Sequence, residues 1–266
     1  MRLQKIKQQG FSLVEMAIVL VILGFVLGAL LLPLRAQREQ AAQIQTNNTL
    51  DNAKQALLGY AQQQGRLPCP AVALSNGIES QTPTGSGTCT TQLGYLPAST
   101  LGVQPTDANG FALDAWNNRI MYAVAQNSTT NAPANTATPD YTTNNSTDGM
   151  SVVGIANLTP ELHVCTTSID TTSITATNCP NNVSGKEDYL IQNAVVVIYS
   201  QGSTGSLASG GSDEDVNPKI PTASKKVFVY HDISTSSAPN GEFDHLVIWI
   251  SPYVLYNAMI QAGQLH

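Results

Sequence analysis

The sequence predicts an α+β protein: a long N-terminal helix packed on a mostly antiparallel β-sheet, with a short C-terminal helix. Three observations carry this expectation. From Met16 to Leu32 run 17 consecutive residues without a polar side chain, MAIVLVILGFVLGALLL. From Arg35 to Gln64 there is no proline and no glycine except Gly59, and Ala, Gln, Leu and Glu residues that favour helix abound. Beyond Met150, short β-branched or apolar runs alternate with turn residues, and Ser251-Pro252 opens a last helical segment. Long helix, irregular loop, sheet and final helix together make an α+β domain.

The apolar run comes first. A helix over Phe11–Leu34 would be about 36 Å long at roughly 1.5 Å per residue, against a bilayer core of about 30 Å. Arg2, Lys5 and Lys7 precede it and predict a cytoplasmic N-terminus, although Arg35 and Arg38 follow it. Pro33 removes a hydrogen bond inside the span and is expected to kink or loosen the helix. A cleaved secretory signal would have a shorter run ending in small-x-small. Here the run ends in Leu32-Pro33-Leu34-Arg35-Ala36, with bulky Leu34 where a small residue is needed. Glu15 stands alone at the start of the span. A lone carboxylate at a membrane-helix terminus is costly unless partnered, which marks it as a candidate functional residue.

Gly10-Phe11-Ser12-Leu13-Val14-Glu15, behind a basic leader and ahead of an uncharged helix, resembles the class III signal of type IV pilins and type II secretion pseudopilins. The resemblance implies that prepilin peptidase cuts between Gly10 and Phe11 and methylates the new Phe11 amine. It also implies that Glu15 pairs with the N-terminal amine of a neighbouring subunit during filament assembly. The chain then divides into a leader (1–10), a transmembrane and assembly helix (11–34), an amphipathic continuation (35–65) and a periplasmic pilin-like domain (66–266). Implied partners are other pilin or pseudopilin subunits, prepilin peptidase and an inner-membrane assembly platform. The expected role is a structural, minor subunit of a type IV pilus or type II secretion pseudopilus. The rival is a single-span anchored periplasmic binding protein or enzyme that never polymerises.

Charge and cysteines bound the rest. The net charge is −6, and losing the three basic residues of the leader takes it to −9. A broad basic surface for nucleic acid is therefore disfavoured. Charged residues are only 11% of the chain, while Asn, Gln, Ser and Thr are abundant, as suits an exported surface. Cys69/Cys89 and Cys165/Cys179 are two sequence-local couples, each flanking a Thr/Ser/Gly-rich loop. Such couples suit disulfides in an oxidising compartment, with pairing inside each couple the simplest of three connectivities. Zinc is the rival, but neither C-x₂-C spacing nor nearby His supports it.

Past the anchor, Ile44, Leu50, Ala53, Leu57 and Tyr60/Ala61 recur at three- and four-residue steps and predict one apolar helix face. Gly65 and Pro68 close the helix. The prolines and glycines of Leu67–Pro97 predict irregular structure. Asp107-Ala108-Asn109-Gly110 predicts a turn. Leu113–Tyr122 resembles the Asp-Pro-Trp-Gly-Asn-Pro-Tyr element of pseudopilins, keeping Asp114, Trp116, Asn118 and Tyr122. Ala115, Asn117 and Arg119 depart from that element and imply a distant relative. Residues 126–149 form a Thr/Asn/Ala/Pro tract expected to be an exposed, mobile loop. Strands are expected over Arg119–Ala125, Met150–Ala156, Asn193–Ser200, Lys226–His231 and His245–Ser251. Val195–Ile198 is uniformly apolar, as for a central strand covered on both faces.

One candidate metal site is legible. The loop from Gln201 to Val216 is rich in Gly and Ser and ends in Asp213-Glu214-Asp215-Val216. Flexible oxygen-rich loops with two or three carboxylates suit calcium. The ending also resembles the calcium-stabilised loop of pseudopilins, which makes Asp213 and Asp215 the candidate ligands. A solvated acidic turn is the alternative. Three acids would repel phosphate. No enzyme motif is present: His163, His231, His245 and His266 are scattered, and there is no nucleophile elbow or phosphate loop. The expectation is that the protein is not an enzyme.

Overall fold

The computed structural model describes residues 12–127, 138–170, 172–182, 184–205, 210–222 and 225–265, and of residues 29–35 the backbone alone. Two compact units are present, residues 1–42 and residues 43–266. Helix α1, Leu13–Gln64, supplies the described part of the first unit and continues into the second. Its backbone stays helical through Pro33. Among the described residues, no helix is long and apolar enough to cross a membrane. The expected anchor over 11–34 includes Phe11 and the side chains of 29–34, which lie outside the described residues.

In the second unit, α1 buries Leu50, Ala53, Leu57 and Ala61 completely, which is the predicted stripe. Ile44 is 55% exposed, so the buried face begins later, at Thr46 and Leu50. The helix ends as expected at Gly65, whose φ of +69° belongs to the left-handed region. A Cβ there would also meet Asn144 Nδ2 at 2.8 Å. That amide donates to the terminal carbonyl of Gln64 at 2.8 Å, satisfying an acceptor the helix cannot.

The remaining elements are β1 (Leu93–Tyr95), α2 (Ala98–Leu101), β2 (Met121–Val124), α3 (Met150–Val153), β3 (Leu162–Cys165), β4 (Tyr189–Ala194), β5 (Val196–Ser200), α4 (Ser212–Val216), β6 (Val227–Val229), β7 (Leu246–Ile250) and α5 (Pro252–Gln261). They form two sheets. The first is antiparallel throughout, in the order β1-β2-β5-β7. The second, β4-β3-β6, pairs β3 with β4 antiparallel and with β6 parallel. Every residue of β5 is buried, and Val195–Ile198 lie in one core cluster with the α1 stripe and with Leu255 and Met259 of α5.

Three expectations need correction. Met150–Ala156 is not a strand: α3 and a 3₁₀ turn at Ile155–Asn157 occupy it, because Gly149 and Gly154, with φ of +122° and +76°, confine the apolar residues to single turns. The 126–149 tract is only partly a loop on the surface, and its residues 128–137 lie outside the described ones. Tyr141 is fully buried, shares a 2.9 Å hydrogen bond with the Tyr256 hydroxyl, and accepts Leu67 N at its carbonyl at 2.8 Å. One aromatic ring anchors a stretch that composition alone makes look unanchored. Finally, β3 was not expected, and it founds a second sheet.

Both cysteine couples are disulfides, Cys69–Cys89 and Cys165–Cys179. The second sits with Val216, Val227, Val229 and Phe243 in a smaller core beneath α4 and β6.

Because Leu57 is wholly buried, Leu57→Ala should cost about 2–5 kcal/mol of unfolding free energy, read from chemical denaturation. Ile44→Ala, at an exposed position of α1 ahead of the buried stripe, should change it by under about 0.5 kcal/mol.

Candidate functional site

At the N-terminal end of α1, Ser12 and Glu15 form a reciprocal pair. Glu15 N donates to Ser12 Oγ at 3.2 Å, and Ser12 N donates to Glu15 Oε2 at 2.9 Å. This is a capping box, which satisfies two backbone donors that the first helical turn leaves open. The Ser-x-x-Glu spacing was visible in the sequence, and its capping meaning is what sequence reasoning missed. Gly10 and Phe11, the expected cleavage and methylation residues, lie outside the described residues. Behind the box, large apolar side chains stand uncovered, from Leu13 at 88% exposure to Phe25 at 79%. A continuous uncovered apolar surface of that kind marks an interaction surface for lipid or protein.

The turn resembling the pseudopilin element is built around buried Asp114. Its Oδ1 accepts Trp116 N and Asn118 N at 2.9 and 2.8 Å, and its Oδ2 accepts Ser200 Oγ at 2.6 Å. Asn117 takes the left-handed conformation the turn requires, with φ of +67°. Ala115 N donates to Thr46 Oγ1 of α1 at 3.1 Å, so the turn fastens β2 and β5 to the helix. Burial raises the Asp114 carboxyl above its ordinary pKa, against these hydrogen bonds. The role is structural.

Around α4 the expected calcium ligands take different environments. Asp213 is buried and Asp215 exposed, as residues two apart on a helical turn diverge. Asp213 accepts Ser168 N at 2.6 Å, Asn240 Nδ2 at 3.1 Å and His231 Nε2 at 3.1 Å. Burial alone would raise this carboxyl, but the hydrogen bonds from His231, Ser168 and Asn240 hold it down at about 2. His231 is raised in turn, chiefly by its bond to Asp213. Asp213 thus clasps the loop after β3 to the loop after β6.

The acids that do converge are Glu214 and Asp244. With His245 they form a buried group, each offering a ligand atom within 4.8 Å of the others. Thr204 Oγ1 faces both acids, at 3.3 Å from Glu214 Oε1 and 3.1 Å from Asp244 Oδ1. Thr204 N and Ser203 Oγ each donate to Asp244 Oδ2 at 2.8 Å, and Asp244 N donates to Glu214 Oε1 at 3.0 Å. Gly202, with φ of +63°, admits this approach, since a Cβ there would lie 2.3 Å from Asp244 Oδ1. Burial, with Asp244 adding to it, pushes Glu214 up to about 7, and burial pushes His245 down to about 4. Nothing local in the sequence signals this group, because Asp244 and His245 join Glu214 from across the fold.

Residues 5–31 match the family described as the prokaryotic N-terminal methylation motif. The chain carries a class III prepilin signal. This is the kind of signal that type IV pilins and pseudopilins carry. No curated protein and no solved structure matches the chain.

The His231–Asp213 pair has a definite pH signature. A histidine raised by folding stabilises fully below its unfolded pKa of about 6.5, and that contribution is lost as pH rises through the folded value. Glu214 acts in the same direction across about 4.5 to 7, since the folded carboxyl holds a proton the unfolded one has released. Above about pH 6.5 the melting temperature should therefore fall as pH rises, and fall less in His231→Gln. Equal falls in both proteins would remove the pair from this account.

Proposed function

We propose that the chain is a minor structural subunit of a type IV pilus or type II secretion pseudopilus, not an enzyme. The observation that carries this is the methylation motif over residues 5–31. The uncovered apolar face of α1 from Leu13 to Leu27 supports it, since such a surface needs lipid before assembly and neighbouring helices after it. In this reading the subunit waits in the inner membrane, N-terminus in the cytoplasm and the 66–266 domain in the periplasm. Two disulfides suit that oxidising side.

Removal of residues 1–10 exposes the Phe11 amine, methylated or not, as a cation. In the filament it neutralises Glu15 of the adjacent subunit, where an unpaired carboxylate in a dry helical core would be expensive. The capping box favours this use. Ser12 N orients the Glu15 carboxylate, and a carboxylate has capacity for more than one donor. The same bond keeps the first turn helical up to the processed terminus.

Mass spectrometry of the purified chain tests processing: the expected N-terminus is methylated Phe11, whereas intact Met1 supports the anchored protein that never polymerises. For assembly, Glu15→Ala should be cleaved normally yet enter filaments at least about tenfold less, as expected for losing about 1.4 kcal/mol or more of a buried charge pair. Normal incorporation of that variant would sink the mechanism.

A further inference from the structure

We propose that Glu214, Asp244 and His245 form a buried binding site for a zinc-type divalent ion, one that accepts nitrogen as well as oxygen ligands. The site lies wholly within residues 43–266, so it stands whether or not the chain polymerises. Two carboxyl groups, on residues 0% and 7% exposed, meet on an interior wall. Such a pair repels itself unless a proton or a cation lies between the acids. Lys219 contributes positive charge nearby, and Ser203 and Thr204 supply neutral donors.

A second observation points the same way. His245 is fully buried, and among the described residues its Nε2 has no hydrogen-bond partner. Its Nδ1 faces Asn217 Nδ2 at 3.3 Å, and that amide is pinned by Val229 through Nδ2 to the carbonyl at 2.8 Å and through Oδ1 from the N–H at 2.9 Å. The neutral ring therefore keeps its proton on Nε2, buried and without an acceptor, an arrangement native interiors avoid. A metal at Nε2 gives that buried nitrogen a partner; the ring proton moves to Nδ1, which faces the Asn217 Nδ2 donor, and that contact, the longest of the amide's three, is lost. Any proton shared by the two acids is released, as metal ligation requires.

The donor set selects the class of ion. Calcium and magnesium take oxygen shells, whereas imidazole with two carboxylates suits zinc. The expected calcium ligands take no part: Asp213 is engaged by His231, Ser168 and Asn240, and Asp215 is exposed.

The test uses the full chain in detergent micelles, stripped with a chelator and melted with zinc, calcium or magnesium. Zinc should bind at one equivalent and raise the melting temperature by on the order of 5–10 °C at about a hundred times Kd, with no shift from calcium or magnesium. Glu214→Gln should abolish the zinc shift while its metal-free form melts at or above the parent temperature, since an amide beside Asp244 carries no charge. His245→Gln should weaken zinc at least about tenfold. A parent that ignores zinc, a calcium shift equal to zinc's, or a zinc shift that survives Glu214→Gln would each overturn the site.

Discussion

Burial of one helical stripe in a core shared with the central strand underlies the 43–266 unit. Leu50, Ala53, Leu57 and Ala61 of α1 share a core with Val195–Ile198, which enter and form β5. A four-residue stripe of small and medium side chains leaves little else to fix the register of helix on sheet. The Asp114 turn supplies that register by polar means: its backbone reaches Thr46 on the helix while its carboxylate holds Ser200 at the end of β5. Apolar area drives the contact, and the turn says where along the helix it forms.

What could be read in advance follows from how local each signal is. The helix, its glycine stop and the uniformly apolar central strand are written in short stretches with a clear period or punctuation, and all three appear in the structure. Met150–Ala156 has the composition of a strand, but Gly149 and Gly154 at its edge and middle leave room for turns only. Tyr141 is the opposite case: the average composition of its tract is polar, yet one buried ring decides its packing.

The sites divide along the same line. The N-terminal signal is contiguous, so six residues and their neighbours suffice to recognise it, and Ser12 and Glu15 add a capping meaning that the same letters carry. The acidic loop was visible, but its partners were not. Which of three adjacent acids meets a histidine, and which meets another acid, depends on loops after β3, β5 and β6 that converge only in space. Adjacent letters therefore reach opposite outcomes: Asp213 is held well below the usual carboxylate range and Glu214 well above it.

The two disulfides carry one more consequence. Their partners are separated by 20 and by 14 residues, and the couples do not interleave along the chain. A chain whose residues beyond 65 enter an oxidising compartment in sequence order presents Cys69 and Cys89 together before either Cys165 or Cys179 emerges. Each thiol meets its correct partner while no wrong one is yet within reach, so the order of arrival alone suffices to specify the pairing.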